Sequence, residues 1–424
     1  MHAHAPPSFE PPQYAPDGDA RVAPISDHRR VAVVAVHHVR VGGQTFTGGA
    51  EKYLQQSIGA LLDAGANVHV GYSGSSVYDD LLLRAHPTQL TVERTGWLNE
   101  VLSGDARLKW STIRDRRRWL RAARADTLFV VQQGGGGAFG ASIVAARSLG
   151  MRVVASMRQT PEPLPPADHK RWLGMIPAPQ LWRRRLIWRR RIPAWCCDAI
   201  IFNSRRIADA FHREYAYPRH RFRIIPNGEA PRDHNRLPPP TPPCHLATAG
   251  RVTEAKGADV LLDAFAIVAE RHPATRLTYY GDGPLVPDLR AKARAMGLGD
   301  RVAFPGYRND REEIFSDVDI YVQPSRREAM SNSVIEAMAR GIPCVVSDVG
   351  GLPEAVTHGQ TGFVVPANEP QACATAICRL LSDRETFARF SRAAGERARA
   401  LFDIHRVMRE TVETILGTAV EGVA

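Results

Sequence analysis

The sequence predicts an α/β protein in which two parallel β-sheets form two lobes that face each other across a cleft. Strand-sized apolar runs alternate with helix-period stretches in both halves of the 424-residue chain, which is the pattern of βαβ units with helices on both faces of a sheet. A Pro-rich stretch, Ala230 to Pro243, separates the halves and favours an extended, semi-rigid connector. Ligands of open α/β sheets bind at the carboxyl ends of the strands, so we expect the binding site in the cleft.

The first half begins with residues 1–28, which are rich in Pro, His and Asp and are expected to form a mobile tail. Val31 to Val36 then predicts a buried strand, and the glycines at 42, 43, 48 and 49 predict a turn. The turn leads into a predicted helix whose apolar face consists of Leu54, Ile58, Leu61 and Leu62. Further strands are predicted at Asn67–Val70, Thr127–Val131, Arg152–Ser156, Ala199–Phe202 and Phe222–Ile225.

The second half repeats this alternation of strands and helices. Val260 to Glu270 predicts a helix, because Leu261, Phe265 and Val268 recur on one side. The predicted strands are His245–Ala249, Arg276–Tyr280, Arg301–Phe304, Asp319–Gln323, Pro343–Ser347 and Gly362–Val365.

The composition excludes several classes of protein. With 44% hydrophobic and 23% charged residues, the chain has enough apolar material for large cores, which argues against a disordered or collagen-like protein. No apolar stretch approaches the roughly 18 to 20 residues of a membrane span, and no signal-peptide core precedes Val31. The 6 cysteines form no CxxC pair and no metal-binding spacing, so we expect reduced, structural thiols in a cytoplasmic protein.

The net charge of +11 favours polyanions, phosphorylated ligands or anionic membrane as partners. Arginines cluster at 116–118, 121 and 124, and again in WRRRLIWRRRIPAW, Trp182 to Trp195. The second cluster mixes Trp with cations, which fits a membrane-surface segment or, equally, a solvated basic helix that covers the core with its aliphatic stems. No motif for reading grooves or bases accompanies the charge, so nucleic acid is not an expected partner.

A first candidate site follows the strand His245–Ala249. Gly250-Arg251 ends that strand and Lys256-Gly257 opens the next helix, so both cations are expected at the carboxyl end of the sheet. A guanidinium, an ammonium and a helix N-terminus together suit a diphosphate. Taken alone, the four residues fit two solvated loop cations as well.

A second candidate site lies between Pro324 and Glu354. Ser331, Asn332 and Ser333 are good helix caps, so the backbone N–H groups near Ser333 and Val334 are expected to point into the cleft and extend the anion site. Glu336, about one turn into the helix, can accept two ribose hydroxyls, and Glu328 can hold hydroxyls of a sugar. As a spacing alone, two glutamates eight residues apart also fit a solvated pair.

These motifs, in order, resemble the family-4 glycosyltransferases of the GT-B architecture. The signature of that family is a Glu, seven residues and then Glu-Ala-Met-Ala, which Glu328 and Glu336 to Ala339 match. The resemblance covers Val31 to Leu416 and implies two Rossmann-like domains across a cleft, with a C-terminal helix that crosses back to the first domain. The other similar segments are TGGAEKYL (Thr47–Leu54), FNSRR (Phe202–Arg206), IIPNG (Ile224–Gly228), GRVTEAKG (Gly250–Gly257), YGDGP (Tyr280–Pro284), FPGYRND (Phe304–Asp310) and FDIHRVMRETVETI (Phe402–Ile415).

The resemblance implies a retaining transfer from a nucleotide sugar, most simply a UDP- or GDP-sugar, with no other cofactor. It places Arg251 and Lys256 on the donor diphosphate, Glu336 on the ribose and Glu328 on the transferred sugar. Gly48 and Gly49 would bring backbone N–H groups to the diphosphate from the opposite lobe, because a glycine lets the chain approach a phosphate without a Cβ clash. In the front-face mechanism proposed for such enzymes, the leaving phosphate takes the acceptor's proton.

Two features of the sequence depart from the family. Where many relatives have a His, the alignment places Arg158, which could bind the diphosphate or an acidic sugar, or could be a loop cation beside a slipped alignment. Gln132-Gln133 and the glycines at 134–137 stand where relatives often carry His, in a loop that shapes the acceptor pocket or is a flexible turn. Asp317-Val318-Asp319 has the spacing of a metal motif, but it precedes a predicted buried strand, so no metal is expected.

We therefore expect an acceptor domain at 29–229, a connector at 230–243, a donor domain at 244–400 and a returning C-terminal segment at 401–424. The expected activity is a glycosyltransferase that builds a polysaccharide or glycoconjugate on a glycan or lipid-linked acceptor. It is expected in the cytoplasm, with possible peripheral contact at an anionic inner membrane face. The alternative is a non-catalytic module that binds nucleotide sugars, motivated by Arg158.

Overall fold

A computed structural model describes residues 29–36, 40–41, 44–45, 49–73, 86, 88–95, 110–132, 140–161, 187, 191–232 and 245–418. Several features named above lie outside these ranges. They are the tail, most of the Pro-rich connector, Gly48, the loop at 133–137 and most of the basic stretch Trp182–Trp195.

In the described part of the first lobe, seven parallel strands form one sheet in the order β5-β4-β1-β6-β7-β8-β9. A short antiparallel pair, β2 and β3, follows the first strand. The strands are β1 (Arg30–Val36), β2 (Arg40–Val41), β3 (Gln44–Thr45), β4 (Asn67–Ser73), β5 (Leu90–Arg94), β6 (Thr127–Gln132), β7 (Arg152–Met157), β8 (Ala199–Phe202) and β9 (Phe222–Ile224). The helices with described bounds are α1 (Gly49–Asp63), α2 (Trp110–Ala122), α3 (Gly140–Arg147) and α4 (Arg205–Tyr215).

In the second lobe, described continuously over 245–418, six parallel strands form a sheet in the order β12-β11-β10-β13-β14-β15. Its strands are β10 (His245–Ala249), β11 (Arg276–Tyr280), β12 (Val302–Gly306), β13 (Ile320–Gln323), β14 (Cys344–Ser347) and β15 (Gly362–Val365). Its helices are α5 (Ala258–Arg271), α6 (Val286–Ala295), α7 (Arg311–Phe315), α8 (Asn332–Ala339), α9 (Leu352–Ala355), α10 (Pro370–Ser382) and α11 (Arg384–Phe402). The final helix is α12 (Ile404–Leu416).

The predicted fold class is confirmed, because each lobe contains a parallel sheet covered by helices. In each sheet the strand order changes direction beside the first strand of the lobe, β1 or β10, as in Rossmann-like folds. The predicted strands are all present, and their bounds agree with the prediction or differ from it by one to three residues. Pro343, for example, lies outside β14, where its carbonyl accepts from the Tyr321 N–H at 3.1 Å. The sequence analysis missed β5, because this edge strand alternates buried and exposed residues and lacks an apolar run.

The chain crosses back from the second lobe to the first at Asp403. The Asp403 side chain caps α12 by accepting from the Arg406 N–H at 2.9 Å, which ends α11 and starts a new helix. The apolar face of α12 then packs with β1 and α1 in the core of the first lobe through Ile404, Val407, Met408, Val412, Ile415 and Leu416. The C-terminal return predicted from the resemblance is thus confirmed, while the numerical domain boundaries stay predictions.

Candidate active site

The carboxyl-terminal edges of the two sheets meet in the cleft. The strand order of the first sheet reverses between β1 and β6, and that of the second sheet between β10 and β13. Such reversals leave a crevice that helices cannot cover. The described site residues follow several of these strands, with Gly49 after β3, Arg158 after β7, Arg251 and Lys256 after β10, and Glu328 and the start of α8 after β13, so the fold brings them to one place.

The loop after β10 forms a tight cationic turn. Glu254 to Lys256 make a single 3₁₀ turn that Gly257 closes at a φ of 66°. A Cβ atom on Gly257 would lie 2.0 Å from the Pro324 carbonyl oxygen, so glycine allows this turn to pack directly on the loop after β13. Arg251 is exposed at the start of the turn, and Arg251, Lys256, Tyr280 and Gln323 help to line a small pocket beside it.

Lys256 and Glu328 meet at this point. The Lys256 Nζ lies 2.5 Å from Glu328 Oε2, and the two side chains are 26% and 10% exposed. A Cβ atom on Gly350 would lie 1.7 Å from the Glu328 carbonyl oxygen, so the glycine before Glu354 lets two backbones touch and fixes the Glu328 loop. Lys256 and Glu328 are therefore paired with each other, so neither is the solvated charge that the spacing alone also allowed, whereas Arg251 is exposed.

The start of α8 is anchored to the end of β10. Ser331 caps the helix by accepting from the Val334 N–H at 3.4 Å, and the Ser333 hydroxyl donates to the Ala249 carbonyl at 2.9 Å. The Val334 N–H, which we expected to be free in the cleft, is thus used by the cap. The first N–H groups of a helix have no partner within the helix, so those of Asn332 and Ser333 carry the anion-binding capacity of this end.

Glu336 is the most deeply buried charged residue of the predicted site, with 2% of its side chain exposed. Its Oε1 accepts from Lys52 Nζ at 3.0 Å, whereas Oε2 lies 3.5 Å from Arg311 Nε and accepts no hydrogen bond from any described residue. Burial opposes ionisation, yet the charges of Lys52 and Arg311 hold the pKa of Glu336 below its ordinary value. The result is an ionised carboxylate with one buried oxygen that accepts no hydrogen bond from a described residue.

The sequence analysis missed the role of Lys52 in this site. Lys52 lies on α1 of the first lobe and contacts Glu229 Oε2 at 2.8 Å as well as Glu336. Burial opposes its charge, but the carboxylates of Glu336 and Glu229 raise the pKa of Lys52. Lys52 belongs to the quoted segment TGGAEKYL, so its position was visible, whereas its partners are 177 and 284 residues away.

Gly49 faces the start of α8 across the cleft. A Cβ atom on Gly49 would lie 2.8 Å from Asn332 Nδ2. Asn332 in turn accepts from Asn227 Nδ2 through its Oδ1, and Asn227 also donates to the Met330 carbonyl at 3.3 Å. The first lobe, the segment before the connector and the α8 cap therefore touch one another in the cleft.

Arg158 follows β7 and is buried beneath this contact. Its guanidinium donates to Ser156 Oγ at 2.9 Å, to the Ile225 carbonyl at 3.2 Å and to Asn227 Oδ1 at 2.9 Å. It also stacks on the Tyr53 ring, with Cζ 3.3 Å from the ring centroid. All these partners are neutral, and Nη2 has no hydrogen-bond partner within the described ranges. Arg158 is therefore not a loop cation but a buried charge that supports Asn227.

Glu354 closes the opposite side of the interface between the lobes. Its carboxylate accepts from the Ser204 hydroxyl at 3.0 Å and from the N–H groups of Arg205 and Arg206 at 2.9 and 2.7 Å. A second-lobe carboxylate thus caps the first-lobe helix α4, where the helix dipole favours negative charge. Arg206 adds an ion pair to Asp348 at 2.5 Å.

Asp317 and Asp319 lie at the opposite, amino-terminal edge of the second sheet. Asp317 pairs with Arg276 at 2.6 Å, and Asp319 accepts from the His245 N–H at 3.0 Å. In the part of the chain that the structure describes, no cluster of three His, Cys, Asp or Glu side chains is arranged to hold a metal ion. These two aspartates hold strands together and are remote from the cleft.

The described remainder of the basic stretch exposes apolar side chains. Ile192 and Trp195 are 42% and 47% exposed, and Arg191 lies 5.1 Å from the Trp195 ring centroid. On α2, Trp110 is 84% exposed, whereas Arg116 is buried. Across the described ranges, every helix is too short or too polar to span a membrane.

Comparisons with known proteins identify the two lobes. The family model "Glycosyltransferase Family 4" matches residues 47–229, and "Glycosyl transferases group 1" matches residues 243–383. The chain is 27% identical over 52% of its length to mannosylfructose-phosphate synthase of Agrobacterium fabrum, covering 53% of that protein. It is 31% identical over 47% of its length to D-inositol 3-phosphate glycosyltransferase of Streptomyces avermitilis, covering 48% of that protein. The chain thus spans about half the length of these curated relatives.

Solved structures share the fold over nearly the whole chain. Anabaena Alr3699/HepE in complex with UDP superposes with a TM-score of 0.69 at 19% identity, over 92% of this chain and 100% of that one. Sucrose-phosphate synthase from Thermosynechococcus elongatus gives a TM-score of 0.67 at 20% identity, over 92% and 100% of the two chains. WaaG, a glycosyltransferase of lipopolysaccharide biosynthesis, gives 0.65 at 17% identity, over 91% and 100%. The structural similarity, at 17–20% sequence identity, establishes that the chain has the GT-B fold.

Proposed function

The chain belongs to the group 1 glycosyltransferases of family 4, and on that premise we propose that it transfers a sugar from a nucleotide-diphosphate donor to an acceptor held by the first lobe. The observation that carries the proposal is Glu336. This carboxylate is 2% exposed and held ionised, and its Oε2 lies 3.5 Å from Arg311 Nε but accepts no hydrogen bond from a described residue, so it can still accept one from a donor group on a ligand. A ribose hydroxyl is such a donor.

The donor's diphosphate would lie between the cationic turn and the start of α8. Arg251 and Lys256 supply fixed positive charge, and the N–H groups of Asn332 and Ser333 supply the partial charge of a helix end. Gly49 supports the same position from the first lobe, because the absence of a Cβ lets the start of α1 approach Asn332 at the start of α8. Glu328, already beside Lys256, would hold a hydroxyl of the transferred sugar.

The reaction would break the bond between the anomeric carbon and the diphosphate oxygen, and form a bond from that carbon to the acceptor oxygen on the same face. Negative charge grows on the leaving diphosphate, and the preorganised cations are placed to stabilise it. The acceptor's proton would pass to the leaving phosphate, so the transfer would proceed with retention and without a metal ion. Closure of the lobes would exclude the water that otherwise hydrolyses the donor.

A UDP-sugar is the first donor to test. The Anabaena protein with the same fold has been solved with UDP and with UDP-glucose, which supports this choice of donor. GDP- and ADP-sugars are the comparison. A ligand that binds only the folded state raises its melting temperature, so a thermal-shift screen of the three classes identifies the nucleotide.

We propose a glycan or lipid-linked acceptor, approached through the first lobe at an anionic membrane surface. The exposed Trp110, Ile192 and Trp195, together with the arginines of the first lobe, suit the boundary between lipid headgroups and acyl chains. Flotation with vesicles containing phosphatidylglycerol tests this contact. Binding at low salt that is lost in phosphatidylcholine vesicles supports it, whereas no flotation at low salt rejects it.

The alternative proposal is a module that binds nucleotide sugars without turnover. It is motivated by Arg158, which the sequence analysis aligns with the His of many relatives and which is buried in neutral contacts. Release of nucleotide from the donor, in the presence of a crude acceptor extract, distinguishes the two. Turnover supports the transferase, and saturable binding without nucleotide release supports the module.

A further inference from the structure

We infer that Lys52 is a positioning residue of the donor site: it reaches from the first lobe to hold one oxygen of Glu336, leaves the other oxygen for the ligand, and so makes donor binding depend on lobe closure. The inference rests on the proposed function only in that the ligand is a nucleotide sugar. The contact itself is a property of the chain.

The geometry separates the two oxygens of Glu336 by role. Lys52 Nζ donates to Oε1 at 3.0 Å, from a helix that belongs to the first lobe. On the other side, Oε2 lies 3.5 Å from Arg311 Nε and accepts no hydrogen bond from a residue in the described part of the chain. Lys52 of the first lobe therefore fixes the orientation of the carboxylate through Oε1. The second oxygen, Oε2, is left to accept a hydrogen bond from a ligand.

Lys52 also joins the cleft to the segments at which the chain passes between the lobes. Its second partner, Glu229, exchanges backbone hydrogen bonds with the C-terminal crossover, donating to the Phe402 carbonyl at 2.7 Å and accepting from the Ile404 N–H at 3.1 Å. One ammonium thus connects α1, the end of the first domain and α8. Separation of the lobes would break the contact to Glu336 and leave that carboxylate without its nearest cation.

Three further charged groups, Arg311, Arg340 and Glu229, surround this contact between Lys52 and Glu336. Lys52, Arg311 and Arg340 face Glu336, and Glu229 faces Lys52. Arg340 donates to the Glu336 carbonyl at 3.0 Å rather than to its carboxylate, so Lys52 is the closest cation to the carboxylate oxygens. Without Lys52, the buried Glu336 would ionise less readily, since desolvation would be opposed by the arginines alone.

The test compares Lys52→Met and Lys52→Arg with wild type by isothermal titration calorimetry. The probes are UDP-glucose and GDP-mannose, whose diphosphates stay ionised between about pH 5.5 and about pH 8. With whichever probe saturates the wild type, K52M should bind about 10- to 100-fold more weakly, as expected for loss of a buried hydrogen bond to a charged group. K52R keeps the charge and should recover most of the affinity.

The pH profile separates positioning from a merely structural role. A depressed pKa means that wild-type Glu336 stays ionised as the pH falls, so wild-type affinity should be flat over this range. In K52M the pKa rises, so affinity should fall further toward the acidic end. The control is Lys292→Met, which removes the Lys292–Asp263 ion pair of the second lobe, 2.5 Å long, and should leave affinity and pH profile unchanged.

A ligand-free readout keeps the inference independent of the proposed function. Small-angle scattering should give K52M, but not K292M, a larger radius of gyration than wild type, because the lobes separate more readily. If wild type binds neither these two probes nor an ADP-sugar, the proposed function fails while the scattering result still decides the inference. If K52M matches wild type in affinity, pH profile and scattering, or if neither K52M nor K52R folds, the inference is wrong.

Discussion

Gly49 and Asn332 approach each other across the cleft so closely that a Cβ atom on Gly49 would lie 2.8 Å from Asn332 Nδ2. Gly49 begins α1 of the first lobe, and Asn332 begins α8 of the second. The two helix starts converge where the donor diphosphate is proposed to lie. Space and positive potential at this point therefore depend on both lobes.

Gly49→Leu should weaken donor binding by about tenfold or more, because its side chain would occupy the contact with Asn332 and hold the lobes apart. The matched control is Gly59→Leu in the same helix, where an added Cβ would meet nothing within 4 Å. G59L should bind donor normally and gain up to about 1 kcal/mol of stability, since leucine favours helices over glycine. Thermal shift with UDP-glucose compares the two. Equal shifts would show that closure at Gly49 is not needed.

Lys256→Ala should remove most of the thermal shift that the donor produces. The substitution deletes the ammonium beside Glu328 and leaves a carboxylate where the phosphate is proposed to bind, which adds repulsion to the lost attraction. Lys292→Ala, in the same lobe but outside the cleft, serves as the control. A K256A protein with the wild-type shift would rule out the cationic turn as the diphosphate site.

Glu354→Gln should lower the free energy of unfolding by about 1 kcal/mol, because the charged cap of α4 becomes a neutral one. The E354Q substitution should also let the two lobes separate more readily, since the Glu354 carboxylate of the second lobe binds N–H groups of the first lobe. Urea unfolding and small-angle scattering measure these effects. The exposed Glu385, in the first turn of α11, offers E385Q as a control within the second lobe. Identical scattering by both variants would argue against an interlobe role.

Arg158→Lys should be destabilising by about 2 to 4 kcal/mol, because a single ammonium cannot span Ser156, Ile225 and Asn227 as the guanidinium does. Burial lowers the pKa of the Arg158 guanidinium, and a buried lysine would lose its charge still more readily. Urea titration measures the loss. An R158K protein of wild-type stability that fails to turn over donor would instead make Arg158 a substrate contact.

Much of the fold and part of the site could be predicted from the sequence, for reasons that are local. Strands buried on both faces appear as continuous apolar runs, as Val31 to Val34 do, and the two glutamates lie within one short segment. Edge strand β5 could not be predicted in this way, because half of its residues face solvent.

What the sequence could not predict is the pairing between lobes. Lys52 stood in a recognised segment, but which of the acidic residues it would meet depends on closure of the whole molecule. The same holds for Glu354, whose partners on α4 lie about 150 residues earlier. Arg158 was singled out as a departure from a family pattern, whereas its burial against Tyr53 and Asn227 follows from the packing of α1 and the segment before the connector.

A crystal structure with an intact nucleotide sugar tests the central claim most directly. The account predicts the diphosphate between Arg251, Lys256 and the Asn332–Ser333 end of α8, with a ribose hydroxyl donating to Glu336 Oε2 while Lys52 stays on Oε1. A nucleotide sugar bound outside the cleft, with Glu336 Oε2 still lacking a partner, would contradict it.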